Sequence, residues 1–453
     1  MERISDIDDL SRGVTGAVLR PGDAGYDDER TGFQRAAAHR PDVIVAAASP
    51  QDVQAAVAHA AARDLPVAVQ SSGHGLARPL AGGLLISTRR LTGLRIDPAA
   101  RTVRAQAGTR FAEVITAAAA HGLAPLNGSA PGVGVAGYTL GGGLGLLART
   151  YGYAADHVRA LDVVTADGTA RHVTPDNEPD LFWALRGGRD NFGVVTALEM
   201  DLMPVPRVYG GGLYFPASAA VLDAWRAWTT TVPDELTSSI ALIPFPDVPG
   251  VPEPLRGRHI AHIRVAHTGT AADGERLVAP LRAFGPALID TLGDMPYERS
   301  ASIYSDPADP HAYRGGNALL RDLDAAACAT IVDLAGPSAP VPCVVQIRHL
   351  GGALARPPAR PSAVGFRDAG YLLSVLSGVG DDGPARAAAV HNTLLDALAD
   401  RGTGRFLNYL YGTGTDDVAA LYEPATYDRL RTLKRRHDPA GLFRTGHTIP
   451  PAP

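Results

Sequence analysis

The apolar positions in residues 43–69 predict a strand, a helix and a second strand in succession. The central helix carries apolar residues at the i, i+3, i+4, i+7 spacing of one buried face, namely Val53, Ala56, Val57 and Ala60. Short apolar runs at 43–46 and 66–69 flank this helix and are typical of buried strands. Ser49 or Asp52 suits its N-terminus, because short polar side chains accept hydrogen bonds from the first helical amides. We therefore expect a β-α-β unit.

Similar patterns continue to about residue 205. Short strands are separated by a turn at Asp97-Pro98, and a helix that begins near Phe111 is expected to end at Gly122. Alternating apolar residues on both sides of Asp167-Gly168 predict a β-hairpin. A proline-rich break at 204–206 indicates a first domain boundary.

Beyond this break, long helical patterns alternate with strand patterns such as "HIAHIRVAHTG" and "CVVQIRHLGG". These indicate a sheet backed by helices over residues 206–400. The last segment, 401–453, predicts a helix over 427–436, and the sequence Asp438-Pro439-Ala440-Gly441 is expected to end it. The fold class that follows is α+β.

Composition removes several classes of function. The 453-residue chain has a formal net charge of −5, so charge gives no reason to expect nucleic acid or an anionic membrane as a partner. The acidic N-terminus has no apolar run, and no stretch reaches the ~18 apolar residues of a membrane span. We therefore expect a cytoplasmic protein that is a monomer or homodimer. Cys328 and Cys343 are expected to be buried free thiols, although a disulfide is possible.

Three glycine-rich segments, around 70–75, 127–145 and 187–193, are interleaved with regular elements in the first part of the chain. Such segments are either flexible loops or nests, in which successive backbone N–H groups bind an anion without a basic side chain. The sequence "GGGLG" at 141–145 superficially matches a dinucleotide-binding fingerprint. It follows an irregular loop rather than a strand, however, which argues against a Rossmann fold.

Several motifs occur in an order that is typical of one family. They are "SSGHG" (71–75), "GVGVAGYTLGGGLG" (132–145), "YGYAAD" (151–156), "DLFWALRGG" (180–188), "NFGVVT" (191–196) and the tail "YDRLRTLKRRHDPAGLF" (427–443). In this the chain resembles flavoproteins with a vanillyl-alcohol-oxidase-type FAD domain, also called PCMH-type. Within these it most resembles the berberine-bridge-enzyme-like and 6-hydroxynicotine-oxidase-like oxidases.

The resemblance implies a domain layout and a cofactor. Residues 1–205 would form an FAD-binding domain of two α+β subdomains. Residues 206–400 would form a substrate domain with an antiparallel sheet backed by helices, and 401–453 would return to the FAD domain. The cofactor would be FAD, and no metal is expected.

The resemblance also answers what the histidine of "SSGHG" does. His74 occupies the position at which the family bonds a histidine to the 8α-methyl carbon of the flavin. Many members have a second, cysteinyl link, but this chain has Ala130 at that position, so we expect a single bond. Val133 stands where a small aliphatic residue accompanies access of dioxygen. Tyr138 replaces a common histidine and either keeps a hydrogen bond through its phenol or simply packs.

The residues expected to bind the cofactor come from these motifs. They are His74, Ser71, Ser72, Gly73, Gly75, Gly132, Val133, Gly137, Tyr138, Gly141, Gly142, Gly145, Val195 and Asn408.

The two catalytic bases familiar from the family are both missing. The stretch after Gly351-Gly352 has no carboxylate, and Phe406 stands where other members have tyrosine. The remaining candidates are Tyr409, Tyr411, His349 and Arg348, which would otherwise serve ordinary packing. In the strand "VVQIRHL", alternation places Gln346 and Arg348 on one face and Ile347 and His349 on the other. A tyrosine acts as a base only where nearby cations lower its pKa. A neutral amine substrate would need no dedicated base.

Three hypotheses about function follow. The leading one is an FAD-linked oxidase that oxidises an alcohol or amine, in secondary metabolism such as antibiotic biosynthesis, by hydride transfer to flavin N5 with dioxygen as acceptor. The second is a flavin-dependent cyclase or dehydrogenase with another acceptor. The third is a non-catalytic binding protein that has kept the fold. In the first two, the partner is a small-molecule substrate, with neither nucleic acid nor membrane involved.

Overall fold

The computed structural model describes residues 2–380, 384–412, 417–444 and 446–453. Within these residues the strands form three sheets.

The first sheet contains the predicted β-α-β unit. Its strands are β1 (Ala17–Leu19), β2 (Val43–Ala46), β3 (Val67–Gln70) and β4 (Leu84–Ser87), and the helices around it are α1 (Glu2–Gly13), α2 (Tyr26–Arg30) and α3 (Pro50–Ala61). The order is β1-β2-β4-β3, with β2 and β3 parallel to β4 and β1 antiparallel to β2. Ser49 caps α3, where its Oγ accepts from the amide of Asp52 at 3.2 Å. The apolar face of α3, including Val53 and Val57, packs against this sheet as predicted.

The second sheet is antiparallel and contains the predicted hairpin. Its strands are β5 (Leu94–Asp97), β6 (Thr102–Gln106), β7 (Val158–Val164), β8 (Ala170–Val173) and β9 (Val194–Asp201), and the helices beside it are α4 (Phe111–Ala119), α5 (Val135–Leu140) and α7 (Pro179–Gly188). The short helix α6 (Ala148–Tyr151) instead packs against residues 236–244 of the third sheet. The order is β5-β6-β9-β7-β8. The hairpin joins β7 and β8 through the turn at Gly168, where φ is +75°.

The third sheet has nine strands, and every pairing in it is antiparallel. They are β10 (Arg207–Pro216), β11 (Leu236–Pro244), β12 (His259–His267), β13 (Ile289–Asp290), β14 (Gly293–Pro296), β15 (Tyr313–Leu320), β16 (Val344–His349), β17 (Tyr371–Gly378) and β18 (Gly402–Gly404). The order is β13-β10-β12-β11-β16-β17-β15-β18, and β14 also pairs with β10.

Helices cover one face of this sheet. They are α8 (Ala219–Thr229), α9 (Ala271–Arg282), α10 (Ala325–Ala335) and α11 (Pro384–Ala397). Their apolar side chains bury Ile263, Ile347 and Leu373, which point to the same side of three strands. The opposite face of the third sheet lies toward the first two sheets. Cys328 and Cys343 are buried in this helix-covered core as free thiols.

The last segment begins with β18 in the third sheet and then crosses to the first two. It contains the last helix, α12 (Pro424–His437), which packs against α7, and Val67 of β3 forms a β-bridge with Phe443. The only lysine of the chain, Lys434, is fully buried there. Its Nζ donates to the carboxylate of Asp438 at 2.6 Å and to the carbonyls of Asn191 and Phe443 at 2.7 and 2.8 Å.

Short 3₁₀ turns connect several of these elements, at Ala154–His157, Arg189–Asn191, Tyr297–Ile303, Gly352–Ala355, Ala399–Arg401, Leu407–Tyr409 and Ala419–Leu421. None of the helices among the described residues combines the length and apolarity that a membrane crossing requires. The mixture of helices and antiparallel sheets confirms the predicted fold class, while the limits of the three segments stay a prediction.

Candidate active site

A cavity of about 400 Å³ lies between the uncovered face of the third sheet and loops of the first two sheets. One wall consists of the loops at 70–78, 128–138 and 189–195. The other consists of polar side chains from β12, β16 and β17 and of the segment 408–411. The cavity thus joins the three predicted glycine-rich segments to the predicted substrate domain.

The loop after β3 approaches its surroundings through its backbone. Gly73 has a φ of +71°, and a Cβ there would lie 2.5 Å from the Cα of Gly32, so only glycine fits. The backbone N–H groups of residues 71–75 donate to no acceptor among the described residues. Successive amides of this kind form a nest for an anion. Arg189 adds a cation, since its Nη2 would lie 3.3 Å from a Cβ placed on Gly75.

His74 is held from two sides in this loop. Its ring stacks on Phe33, with 3.9 Å between centroids and 10° between planes, and its Nδ1 lies 2.9 Å from the Oγ of Ser72. That Oγ also accepts from the amide of Gly134 at 3.2 Å. Burial, and then electrostatic interactions with Arg110 and His311, lower the pKa of His74 to about 4. The imidazole is therefore neutral near pH 7, the form in which histidine is a nucleophile.

The second loop lies across from the first at close range. A Cβ on Gly134 would lie 3.2 Å from the Oγ of Ser71, and Val133 and Gly137 line the cavity. Tyr138 also lines it and packs edge-on against Phe111, with centroids 5.1 Å apart. The Tyr138 hydroxyl is buried and has no hydrogen-bond partner in the described part of the chain. Among the described residues, the side chain of Tyr138 therefore packs and makes no hydrogen bond through its phenol.

Four glycines predicted to bind the cofactor do not line the cavity, namely Gly132, Gly141, Gly142 and Gly145. A Cβ on Gly141 would lie 1.8 Å from Oδ1 of Asn408, and one on Gly145 would lie 2.2 Å from the carbonyl oxygen of Asn127. Gly142 has a φ of +109° and faces the ring of Phe406. A Cβ on Gly132 would lie 3.9 Å from Cε1 of His74. The other three glycines let backbone segments pack closely, and the assignment of all four to the cofactor stays a prediction.

The remaining residues that were predicted to bind the cofactor lie at the cavity wall, and their role there stays a prediction. Ser71, Ser72, Gly73, Gly75, Val195 and Asn408 all line the cavity. Asn408 is fixed by donating from Nδ2 to the carbonyl of Tyr138 at 2.8 Å. His447, which sequence reasoning missed, also lines the cavity, and neither of its buried ring nitrogens has a hydrogen-bond partner among the described residues.

Strand alternation decides which residues of the third sheet face the cavity. Arg264 of β12 and Arg348 of β16 are both in register with Ser239 of β11, so the three side chains form a row on the uncovered face. Gln346 and Ser374 form the next row and line the cavity with the two arginines.

Tyr304 joins the members of the first row. Its hydroxyl lies 2.8 Å from the Oγ of Ser239 and accepts from Nη1 of Arg348 at 3.0 Å. The guanidinium of Arg264 lies over its ring, 4.5 Å from the centroid.

His349 points the other way. Its ring nitrogens lie 2.8 and 3.2 Å from Nη1 of Arg149, and the ring lies 5.8 Å from that of Tyr371 on the helix-covered side. Burial, and then Arg149, lower its pKa to about 3. His349 does not line the cavity, so its candidacy as a catalytic residue is corrected.

Tyr409 and Tyr411 line the cavity as predicted, with ring centroids 6.1 Å apart. Burial raises the pKa of Tyr409 to about 12, although the Arg348 guanidinium, 5.2 Å above its ring, lowers it. Burial also raises the pKa of Tyr411 well above its usual range. Both phenols stay protonated near pH 7 and are hydrogen-bond donors there rather than bases.

Sequence reasoning also missed Arg264 and Phe33. The pattern "HIAHIRVAH" gave a signal for Arg264, because His262 and Arg264 are polar positions two apart in an otherwise apolar strand. Phe33 lies in an irregular stretch, and no local pattern placed it beside His74.

The loop wall fits FAD. Unpaired amides and Arg189 suit the oxygen atoms of a pyrophosphate, and His74 is a neutral nucleophile on the same wall. Residues 41–174 match the model of the FAD binding domain family. The chain belongs to the FAD-linked oxidoreductases that include 6-hydroxynicotine oxidase, as its motifs predicted.

It is 30% identical over 463 residues to (R)-6-hydroxynicotine oxidase of Paenarthrobacter nicotinovorans, with 97% of each chain covered. The crystal structure of 6-hydroxy-D-nicotine oxidase from Arthrobacter nicotinovorans superposes with a TM-score of 0.83 at 25% identity, over 97% of this chain and 98% of that one. A xylooligosaccharide oxidase from Myceliophthora thermophila, bound to xylobiose, has the same fold with a TM-score of 0.87 at 22% identity, covering 99% and 100%. A berberine-bridge-enzyme-like protein of Physcomitrella patens has the same fold with a TM-score of 0.85 at 18% identity.

Proposed function

We propose that this protein is an oxidase that holds FAD through one bond to His74 and oxidises the carbon next to an amine or alcohol of a small molecule. When bound, the flavin accepts a hydride at N5 and passes both electrons to dioxygen. In sum, an amine CH–NH gives an imine, or an alcohol CH–OH gives a carbonyl compound, and each turnover converts one O₂ to H₂O₂.

The observation that supports this most is the environment of His74. The ring is neutral, oriented by Phe33 and Ser72, and placed beside unpaired amides at the cavity wall. Bond formation would replace the imidazole N–H and one C–H of the 8α-methyl group by an N–C bond. The two protons and two electrons released in this step would reduce one O₂ to H₂O₂. Because the low pKa keeps the imidazole neutral, one ring nitrogen already has a free lone pair. No base is therefore needed to deprotonate an imidazolium before bond formation.

A second link to the flavin is not part of the proposal. Ala130 lines the cavity at the position where a cysteine would be needed. Both cysteines are buried in the helix-covered core of the third sheet, and burial raises the pKa of each thiol. A buried protonated thiol is a poor nucleophile.

The protonated tyrosines of the cavity support an amine substrate over an alcohol. An alcohol must lose its hydroxyl proton, and the cavity tyrosines are too weakly acidic in this environment to serve as phenolate bases. A neutral amine needs no such proton transfer before the hydride leaves. The relative named for 6-hydroxynicotine supports a small organic substrate. Val133 at the cavity wall leaves room for dioxygen to approach.

Acid precipitation of the purified protein tests the attachment. The yellow colour should stay in the pellet for the parent and move to the supernatant for His74→Ala. His121→Ala, an exposed position at the end of α4, is the matched control and should behave as the parent. Intact-mass measurement should show one FAD on the parent and none on His74→Ala, and a parent of bare polypeptide mass would contradict the proposal.

Stopped-flow mixing tests the acceptor. The flavin, reduced without oxygen, should be reoxidised rapidly when mixed with air-saturated buffer. Slow reoxidation would instead support a dehydrogenase or cyclase with another acceptor. A colourless protein that takes up no flavin would support the non-catalytic alternative.

A further inference from the structure

Two buried arginines face the cavity, and neither forms an ion pair with a carboxylate among the described residues. The side chains of Arg264 and Arg348 belong to residues that are each only 5% exposed. Arg264 donates from Nε to Nδ1 of His262 at 3.0 Å, and Arg348 donates from Nη1 to the Tyr304 hydroxyl at 3.0 Å. Among the described residues, neither guanidinium forms an ion pair with a carboxylate, and Nε of Arg348 has no acceptor.

Two buried arginines elsewhere in the protein donate to acceptors that the protein itself provides. Arg149, also 5% exposed, donates to the carbonyls of Leu236 and Leu350 at 2.9 and 2.6 Å and pairs with Asp234 at 3.3 Å. Arg186 is 1% exposed, and all three of its guanidinium nitrogens donate to backbone carbonyls. These two arginines, which have a structural role, thus have hydrogen-bond or ion-pair partners within the protein. The cavity pair has fewer such partners, and both of its residues line a cavity that a ligand can enter.

The groups around the pair do not neutralise it. Burial, and then Arg264, lower the pKa of His262 to about 2, so this ring carries no charge and serves only as an acceptor. Tyr304 contributes its ring face and a neutral hydroxyl. Asp306 also lines the cavity, and its charge favours the protonated form of both arginines from a distance. Its side chain is exposed, however, and makes no ion pair with either arginine among the described contacts. A buried charge without a partner is unfavourable until an opposite charge arrives.

We propose that the substrate of this enzyme carries a carboxylate, which binds between Arg264 and Arg348 on the third-sheet wall. This inference rests on the proposed oxidase function and deepens it by naming the substrate class. Guanidinium groups present a planar fork of donors that matches the two oxygens of a carboxylate. Tyr304 is a positioning residue, because its hydroxyl accepts from Arg348 and its ring packs against the guanidinium of Arg264. The carboxylate would anchor the molecule on this wall, with the oxidisable carbon toward the loop wall that holds His74.

Binding of simple carboxylates to the holoenzyme tests the proposal. The probes are acetate, benzoate and phenylacetate, each compared with the neutral amide of the same shape, and the readouts are calorimetry and the flavin difference spectrum. We expect at least one acid to bind tenfold or more tighter than its amide. Arg348→Met and Arg264→Met should each abolish that preference, and Arg348→Lys should keep part of it. Arg276→Met, at an exposed site on α9, is the control and should match the parent.

Stability separates a ligand-binding arginine from a structural one. Because Arg348 has no carboxylate partner among the described residues, Arg348→Met should unfold at the same temperature as the parent or higher, and benzoate should no longer raise that temperature. A marked fall in the unfolding temperature without ligand would indicate a structural role and overturn the proposal. Equal binding of acids and amides by the parent would overturn it too.

The main alternative is that the charges of the two arginines act on the flavin rather than on a substrate. If Arg348→Met changes the reduction potential of the flavin while the preference for carboxylates persists, the arginines serve the cofactor and the proposal is wrong. Calorimetric binding of the probes does not depend on turnover or on covalent attachment. Failure of the oxidase proposal, seen as release of flavin in acid or slow reoxidation, is therefore distinguishable from failure of this one.

Discussion

The imidazole of His74 lies flat against the phenyl ring of Phe33, with only 10° between the two planes. Phe33 reaches this position because its amide donates to the carbonyl of Ser72 at 2.9 Å, so the segment around Phe33 and the loop of His74 are held together by backbone. The stacked ring and the Ser72 hydroxyl restrict the imidazole to one orientation. A reaction at one ring nitrogen depends on that restriction.

Phe33→Leu should therefore lower the fraction of protein with acid-stable flavin without preventing flavin binding. Leucine keeps the apolar contact but removes the flat surface that fixes the ring. Covalent and total flavin can be measured separately by intact mass and by absorbance before and after precipitation. Phe284→Leu, at a partly exposed site remote from the cavity, is the control. Full covalent loading of Phe33→Leu would show that the stack does not matter for attachment.

Gly137→Val should fold normally and bind little flavin. A Cβ on Gly137 would meet no protein atom within 4 Å, yet the residue lines the cavity, so a branched side chain there would occupy ligand space only. Gly293→Val, whose Cβ also meets nothing within 4 Å, should load flavin fully. Circular dichroism and the ratio of visible to ultraviolet absorbance check the two expectations. Gly73→Val differs, because it should disturb the loop itself.

Lys434→Met should destabilise the protein by about 3–5 kcal/mol, the usual effect of removing one member of a buried ion pair. Asp438 would remain fully buried with a charge and without its cation. Adding Asp438→Asn to this variant should restore part of the loss, because the uncompensated charge disappears. Denaturant unfolding of the parent, both single variants and the double variant measures this. Additive effects of the two substitutions would contradict direct pairing.

Stability should fall as the pH drops from about 6.5 to about 4. Burial lowers the pKa of His39 and of His391 to about 4 in the folded protein, compared with about 6.5 when unfolded. The unfolded chain therefore binds more protons in this interval, and each such histidine removes up to ~1.4 kcal/mol per pH unit as the pH falls. Above about pH 6.5 these histidines are neutral in both the folded and the unfolded chain, so their contribution to stability no longer changes with pH.

Unfolding temperatures measured from pH 4 to pH 8 check this dependence. His391→Gln should have a shallower slope below pH 6.5, because glutamine does not titrate and can still bond to Ser377. His121→Gln, at an exposed site after α4, is the control and should leave the slope as it is. A slope that His391→Gln does not change would show that other groups dominate acid unfolding.

Local patterns in the sequence determined the β-α-β unit at 43–70, the hairpin around Gly168 and the position of the histidine between glycines at 73–75. Each depends on residues close together in the chain, where the spacing of apolar side chains, turn chemistry and capping act directly. The run of motifs also led correctly to the FAD-linked oxidoreductases.

Only the tertiary structure decided which face of each strand meets the cavity. Alternation in 344–349 separates Arg348 from His349 but does not say which of them faces the ligand, and the covering helices settle this in favour of Arg348. The row of Arg264, Ser239 and Arg348 comes from three strands paired in register, and that register depends on long-range contacts. Likewise, only the tertiary structure shows that Asn408 and Phe406, from a distant part of the sequence, lie against Gly141 and Gly142.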